Sequence, residues 1–107
     1  MEKLIVKNEQ EIRVVYVNNI MAIIVHDYIC TFIFEQGNNF ICTNSLSELE
    51  KILSNTFIRI SRNTLVNSNK IIGYNKKQKT LCLSNNIEYK VSIRKLDTIL
   101  ARLQIQK

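Results

Sequence analysis

Residues 57–71 read Phe57-Ile58-Arg59-Ile60-Ser61-Arg62-Asn63-Thr64-Leu65-Val66-Asn67-Ser68-Asn69-Lys70-Ile71 and carry the densest polar information in the chain. Apolar anchors at Phe57, Ile60, Leu65, Val66 and Ile71 hold this stretch to a core. Two arginines, a lysine and a run of amides and hydroxyls stand between them. Arginine matches guanine edges and asparagine matches adenine edges in the major groove, whereas Ser, Thr and Lys suit phosphate. The residue types fit DNA. Arg59 and Asn67 read differently, as structural residues that tie the loop to the sheet through backbone hydrogen bonds.

On either side lie short apolar or alternating runs: Lys3–Lys7, Ile12–Val17, Ile20–Val25, Tyr28–Phe34 and Asn39–Thr43 before it, and Ile71–Tyr74, Thr80–Leu83 and Ile87–Val91 after it. Ile87, Tyr89 and Val91 alternate with Glu88 and Lys90, the signature of a strand with one buried face. With no proline and only two glycines, the turns fall to thirteen asparagines, several in pairs (Asn18-Asn19, Asn38-Asn39, Asn85-Asn86). Asparagine tolerates the left-handed backbone that tight hairpins need. Two segments depart from this pattern. Ser45-Leu46-Ser47-Glu48 is a capping box, after which Leu46, Leu49, Ile52 and Leu53 share a helical face that Asn55 stops. Ser92 is the expected N-cap of a last helix whose apolar stripe is Ile93, Leu96, Ile99, Leu100 and Leu103. The expected fold is mainly β with two helices, of α+β class, in a single domain over residues 1–107.

Composition excludes several classes. Apolar residues make up 46% of the 107-residue chain, too many for a disordered protein. Cys30, Cys42 and Cys82 cannot all pair and sit in apolar stretches, so free buried thiols and a cytoplasmic location are expected, without zinc or any other metal. The most apolar window, residues 20–34, is broken by His26 and Asp27 and is too short for a membrane helix, so no membrane insertion is expected. A single histidine, no nucleophile motif and no glycine-rich phosphate loop argue against an enzyme and against a cofactor. Charge is divided unevenly along the chain. Residues 1–50 hold three basic and seven acidic side chains, residues 51–107 twelve basic and two acidic, for a net charge of +6. The positive field belongs to the half that contains residues 57–71, as a phosphate-facing surface requires.

The spaced motifs Phe57-x-Arg59-x-x-Arg62-Asn63-x-Leu65-Val66-Asn67-x-x-x-Ile71, Tyr74, and Tyr89-x-Val91-Ser92-x-Arg94-Lys95-Leu96 resemble the LytTR family of bacterial DNA-binding domains. The resemblance implies a LytTR-like arrangement of small antiparallel β-sheets, found as the output domain of response regulators, that reads successive major grooves through loops. It further implies a sequence-specific transcriptional regulator acting on double-stranded DNA, with two copies on a direct repeat. Carried over by position, the base-reading residues are Asn63 and Arg94, and the loop between two early strands, His26-Asp27-Tyr28, supplies a third base contact at His26. The glutamate that commonly precedes that loop is replaced here by Ile24 or Val25. Backbone contacts are expected from Ser61, Arg62, Lys70 and Lys95, and from Tyr28 in the early loop. Lys76, Lys77 and Lys79 are read as a solvated hairpin outside the site. The family's usual upstream receiver has no counterpart in these residues, so control through a regulatory protein partner is one expectation. The competing expectation is a protein-interaction or inhibitory module that keeps the fold and lacks specific DNA binding.

Overall fold

The computed structural model describes residues 2–104. Strand β3 (Ile20–His26) organises the chain. It lies at the centre of a five-stranded antiparallel sheet, between β4 (Ile29–Phe34) and β7 (Thr64–Asn67). Beyond them, β5 (Phe40–Cys42) forms one edge and β6 (Phe57–Ser61) the other. Ile20, Met21, Ala22 and Ile23 are all fully buried. Such a run, apolar at every position, belongs to a strand covered on both faces, and each large side chain so buried contributes about 1.5–3 kcal/mol.

The two covers come from different parts of the chain. On one face, the hairpin of β1 (Lys3–Lys7) and β2 (Ile12–Tyr16) joins helix α1 (Leu46–Ile52) over Ile20, Ile23, Phe32, Phe57 and Leu65. On the other, β8 (Ile71–Asn75), β9 (Thr80–Leu83) and β10 (Glu88–Lys90) form a three-stranded sheet. This sheet and helix α2 (Leu96–Arg102) pack on Met21, Ala22, Ile58, Ile60 and Val66. The expected α+β architecture of small antiparallel sheets is present.

Several boundaries differ from expectation for local reasons. Residues 57–67 form a strand pair rather than an open loop, and the connection between the strands contracts to the two residues Arg62 and Asn63. Tyr28 belongs to a turn, and β4 starts at Ile29. Ser45 does cap α1, its Oγ accepting from the Glu48 amide at 3.3 Å. The helix ends at Ile52, with Leu53 rather than Asn55 as its cap, and Ile52 is exposed. The last helix is shorter than its stripe: Ile93–Lys95 form a 3-10 turn, and the Ser92 side chain makes no capping bond. Ile93 is thereby turned out of the stripe and is 75% exposed.

Candidate nucleic-acid interface

The Arg62–Asn63 turn links β6 to β7, with Ser61 paired to Thr64. Neither turn residue has a positive φ, so this is not one of the turns whose twist matches a hairpin. The mismatch is absorbed by a register shift between Arg59 and Ser61, a bulge that increases the local twist. Polar contacts then fix the loop. The Ser61 Oγ accepts from the Asn63 amide at 3.3 Å, and the Arg59 guanidinium donates to the Arg62 carbonyl at 2.6 Å. Arg59 is itself anchored on α1 by Glu50 at 3.1 Å and Ser47 at 3.4 Å. The backbone of the turn is held while the Arg62 and Asn63 side chains stay exposed. Asn67 is structural in the same sense: it is 1% exposed and its amide donates to the Ile20 carbonyl at 2.9 Å.

His26 arrives at the same end through pairing alone. Because β3 and β7 are antiparallel, Ile24 lies opposite Thr64, and the Val25 amide donates to the Asn63 carbonyl at 2.9 Å. The next residues of β3 therefore emerge beside the Asn63 turn. Asp27 and Tyr28 both occupy the left-handed region, with φ of 49° and 66°, and turn the chain directly into β4. For a tyrosine this conformation costs about 1–2 kcal/mol, and strain of this kind gathers at functional sites. Tyr28 is almost wholly exposed. The His26 ring is also exposed, with Nε2 3.3 Å from the Asp27 carboxylate. A groove runs between the two turns, bordered by His26, Ser61, Asn63, Lys90, Ser92 and Ile93.

The Arg94 segment joins through one backbone bond, from the Ser92 amide to the Ile60 carbonyl at 2.8 Å. This stitches the 3-10 turn to β6, and a second depression follows, lined by Arg59, Arg62, Ser92, Arg94 and Lys95. Arg94 and Lys95 are exposed. Arg94 stands on this turn and not inside an α-helix, so its position depends on the Ser92 bond rather than on a helix N-terminus.

Lys70 is not brought to this end. It follows the far end of β7, and its ammonium is 3.1 Å from the Glu35 carboxylate, with a side chain only 19% exposed. Glu35 is bound through its amide to the Asn19 carbonyl, at the start of β3, so Lys70 and Asn63 are separated by roughly the length of that strand, ~20 Å. Two further basic segments lie beside this end. Lys90 borders the groove, and its signal was the alternation with Tyr89 that turns it outward. The Lys79 carbonyl accepts from the Val91 amide at 3.1 Å, which brings the lysine-rich β8–β9 turn close to Ser92. Among the described residues, no cluster of His, Cys, Asp or Glu is arranged to hold a metal ion, and no helix is long and apolar enough to cross a membrane.

Comparison with solved structures finds the LytTr DNA-binding domain of a Bacillus cereus protein described as a methyl-accepting/DNA response regulator. It is 23% identical and superposes with a TM-score of 0.78 over 97% of each chain, which shows a common fold. No curated protein matches. The family model of the LytTr DNA-binding domain matches residues 10–104, and the chain belongs to the LytTR family of DNA-binding domains.

Proposed function

We propose that this domain is a sequence-specific transcriptional regulator that reads major-groove base edges with Asn63, Arg94 and His26 and grips phosphates with Arg62 and Lys95. Lys90 adds to the positive field. One observation carries the reading: three segments distant in sequence present donor-rich side chains at one end, on turns whose backbones are already hydrogen-bonded. Side chains presented this way lose little freedom on binding, which favours affinity. Ser61 acts mainly by shaping the Asn63 turn, and Tyr28 lies at the tip of the His26 turn, where it meets a phosphate. Lys70 belongs to the scaffold. Two copies on a direct repeat would engage successive grooves.

The test is selection of bound fragments from a random-sequence pool, followed by fluorescence anisotropy on the enriched sequence and on a scrambled duplex. Asn63→Ala and Arg94→Ala are each expected to cost about 1–3 kcal/mol on the enriched sequence and far less on the scrambled one. Equal affinity of the unaltered protein for both duplexes at every salt concentration overturns sequence-specific reading and favours an interaction module.

A further inference from the structure

We infer that Ile93 is a specificity-determining contact of this domain and that it reads the 5-methyl group of thymine. The inference rests on the reading of this end as a major-groove surface and names a base that surface selects. Ile93 is 75% exposed, more than any other isoleucine among the described residues. A lone exposed isoleucine is ordinary on a protein surface; its location is what matters here. The spacing Ile93, Leu96, Ile99, Leu100 predicts a buried stripe, yet the chain forms a 3-10 turn at Ile93–Lys95 and turns the first member outward. Places where a consistent local pattern fails are those where function competes with folding.

A 3-10 turn has three residues per turn, so consecutive side chains point about 120° apart. Ile93 accordingly borders the groove of His26 and Asn63, while Arg94 and Lys95 border the neighbouring depression with Arg62. The isoleucine thus stands between two sets of hydrogen-bonding groups, on a turn anchored by the Ser92–Ile60 bond. Being β-branched, its side chain is stiff. Of the groups that the four bases expose in the major groove, the thymine methyl is the apolar one. An isoleucine held among donors at that surface matches it and leaves the cytosine edge, which has no methyl, less well packed.

The experiment starts from the enriched duplex and replaces each thymine in turn by deoxyuridine, which removes the methyl and nothing else. For the unaltered protein, one or two positions should weaken binding about fourfold, the transfer free energy of one methyl group. Ile93→Ala should bind the thymine and uracil forms of those positions equally. Ile72→Ala, which alters an exposed isoleucine on β8, should discriminate like the unaltered protein. Circular dichroism confirms that each variant is folded. If no thymine-to-uracil exchange weakens the unaltered protein, or if Ile93→Ala keeps the full discrimination, the inference is overturned while sequence-specific binding stands. If no sequence is enriched at all, the functional reading falls and this inference falls with it.

Discussion

The separation of Lys70 from the other cations can be measured without knowing the operator. Each phosphate neutralised by a lysine or arginine contributes about −0.9 to the slope of log affinity against log salt. Between 50 and 200 mM salt, losing one such contact makes the fall in affinity about 3.5-fold smaller. Lys95→Ala, on the exposed 3-10 turn beside Arg94, should show that change on a random-sequence duplex, and Arg62→Ala combined with it should show about twice the change in slope. Lys70→Ala should leave the slope where it was. Its ammonium is already engaged by Glu35 at 3.1 Å, and the carboxylate it would release lies ~20 Å from Asn63, beyond the Debye length of about 8 Å at physiological salt. The effect of Lys70→Ala should appear instead in urea unfolding, as a loss of at most about 1 kcal/mol. The assay is anisotropy at five or six salt concentrations for the three variants and the unaltered protein. Equal slope changes for Lys70→Ala and Lys95→Ala would refute the assignment of binding to the His26–Asn63–Arg94 end.

Further outcomes follow from the contacts that hold the turns. Asn67→Ala strands the Ile20 carbonyl and the Asn69 amide, which the side chain satisfies at 2.9 and 3.0 Å; with the weaker Val17 contact, the expected cost is about 3 kcal/mol, read in urea unfolding. Arg59→Ala releases the Arg62 carbonyl and the link to Glu50, so affinity for an enriched sequence should fall several-fold while random-duplex affinity changes little; equal losses on both would show that Arg59 does not position the turn. Under native alkylation, the half-buried Cys82 should be modified before Cys30 and Cys42, which are each 1% exposed, and mass spectrometry of timed samples checks the order.

Much of the scaffold is legible in the residues because the physics there is local. The continuous apolar run at Ile20–Ile23 announces a strand buried on both faces, and Ser45 to Glu48 announces the start of α1. Asn86, with φ of 64°, makes the turn that the Asn85-Asn86 pair foretells. The Asn63 turn is harder to read, because Ile58 and Ile60 alternate with Arg59 and Ser61 as a strand requires while the polar residues that follow have the composition of a loop, and the bulge between Arg59 and Ser61 leaves no mark on that pattern. At Ile93 and Leu96 the spacing of three suits an α-helix and a 3-10 turn alike, and tertiary bonding from Ser92 to Ile60 decides between them. Lys70 is only seven residues from Asn63 in sequence, which by itself suggests one loop. The intervening strand β7 and the 3-10 turn capped by Asn67 carry it to the opposite end. Residue type identified the candidate site; the pairing of strands decided which candidates meet.

In the proposed reading, the bond between Val25 and Asn63 separates spacing from base preference. The offset between the His26 and Asn63 turns is set by the backbone ladder of β3 and β7, a ruler made of peptide groups rather than side chains. The letters at either mark are set by exposed side chains that carry little of the core. If these turns read bases as proposed, substitution there changes which bases are preferred while the distance between those bases stays constant. On the same reading, a different distance calls for a different register between β3 and β7.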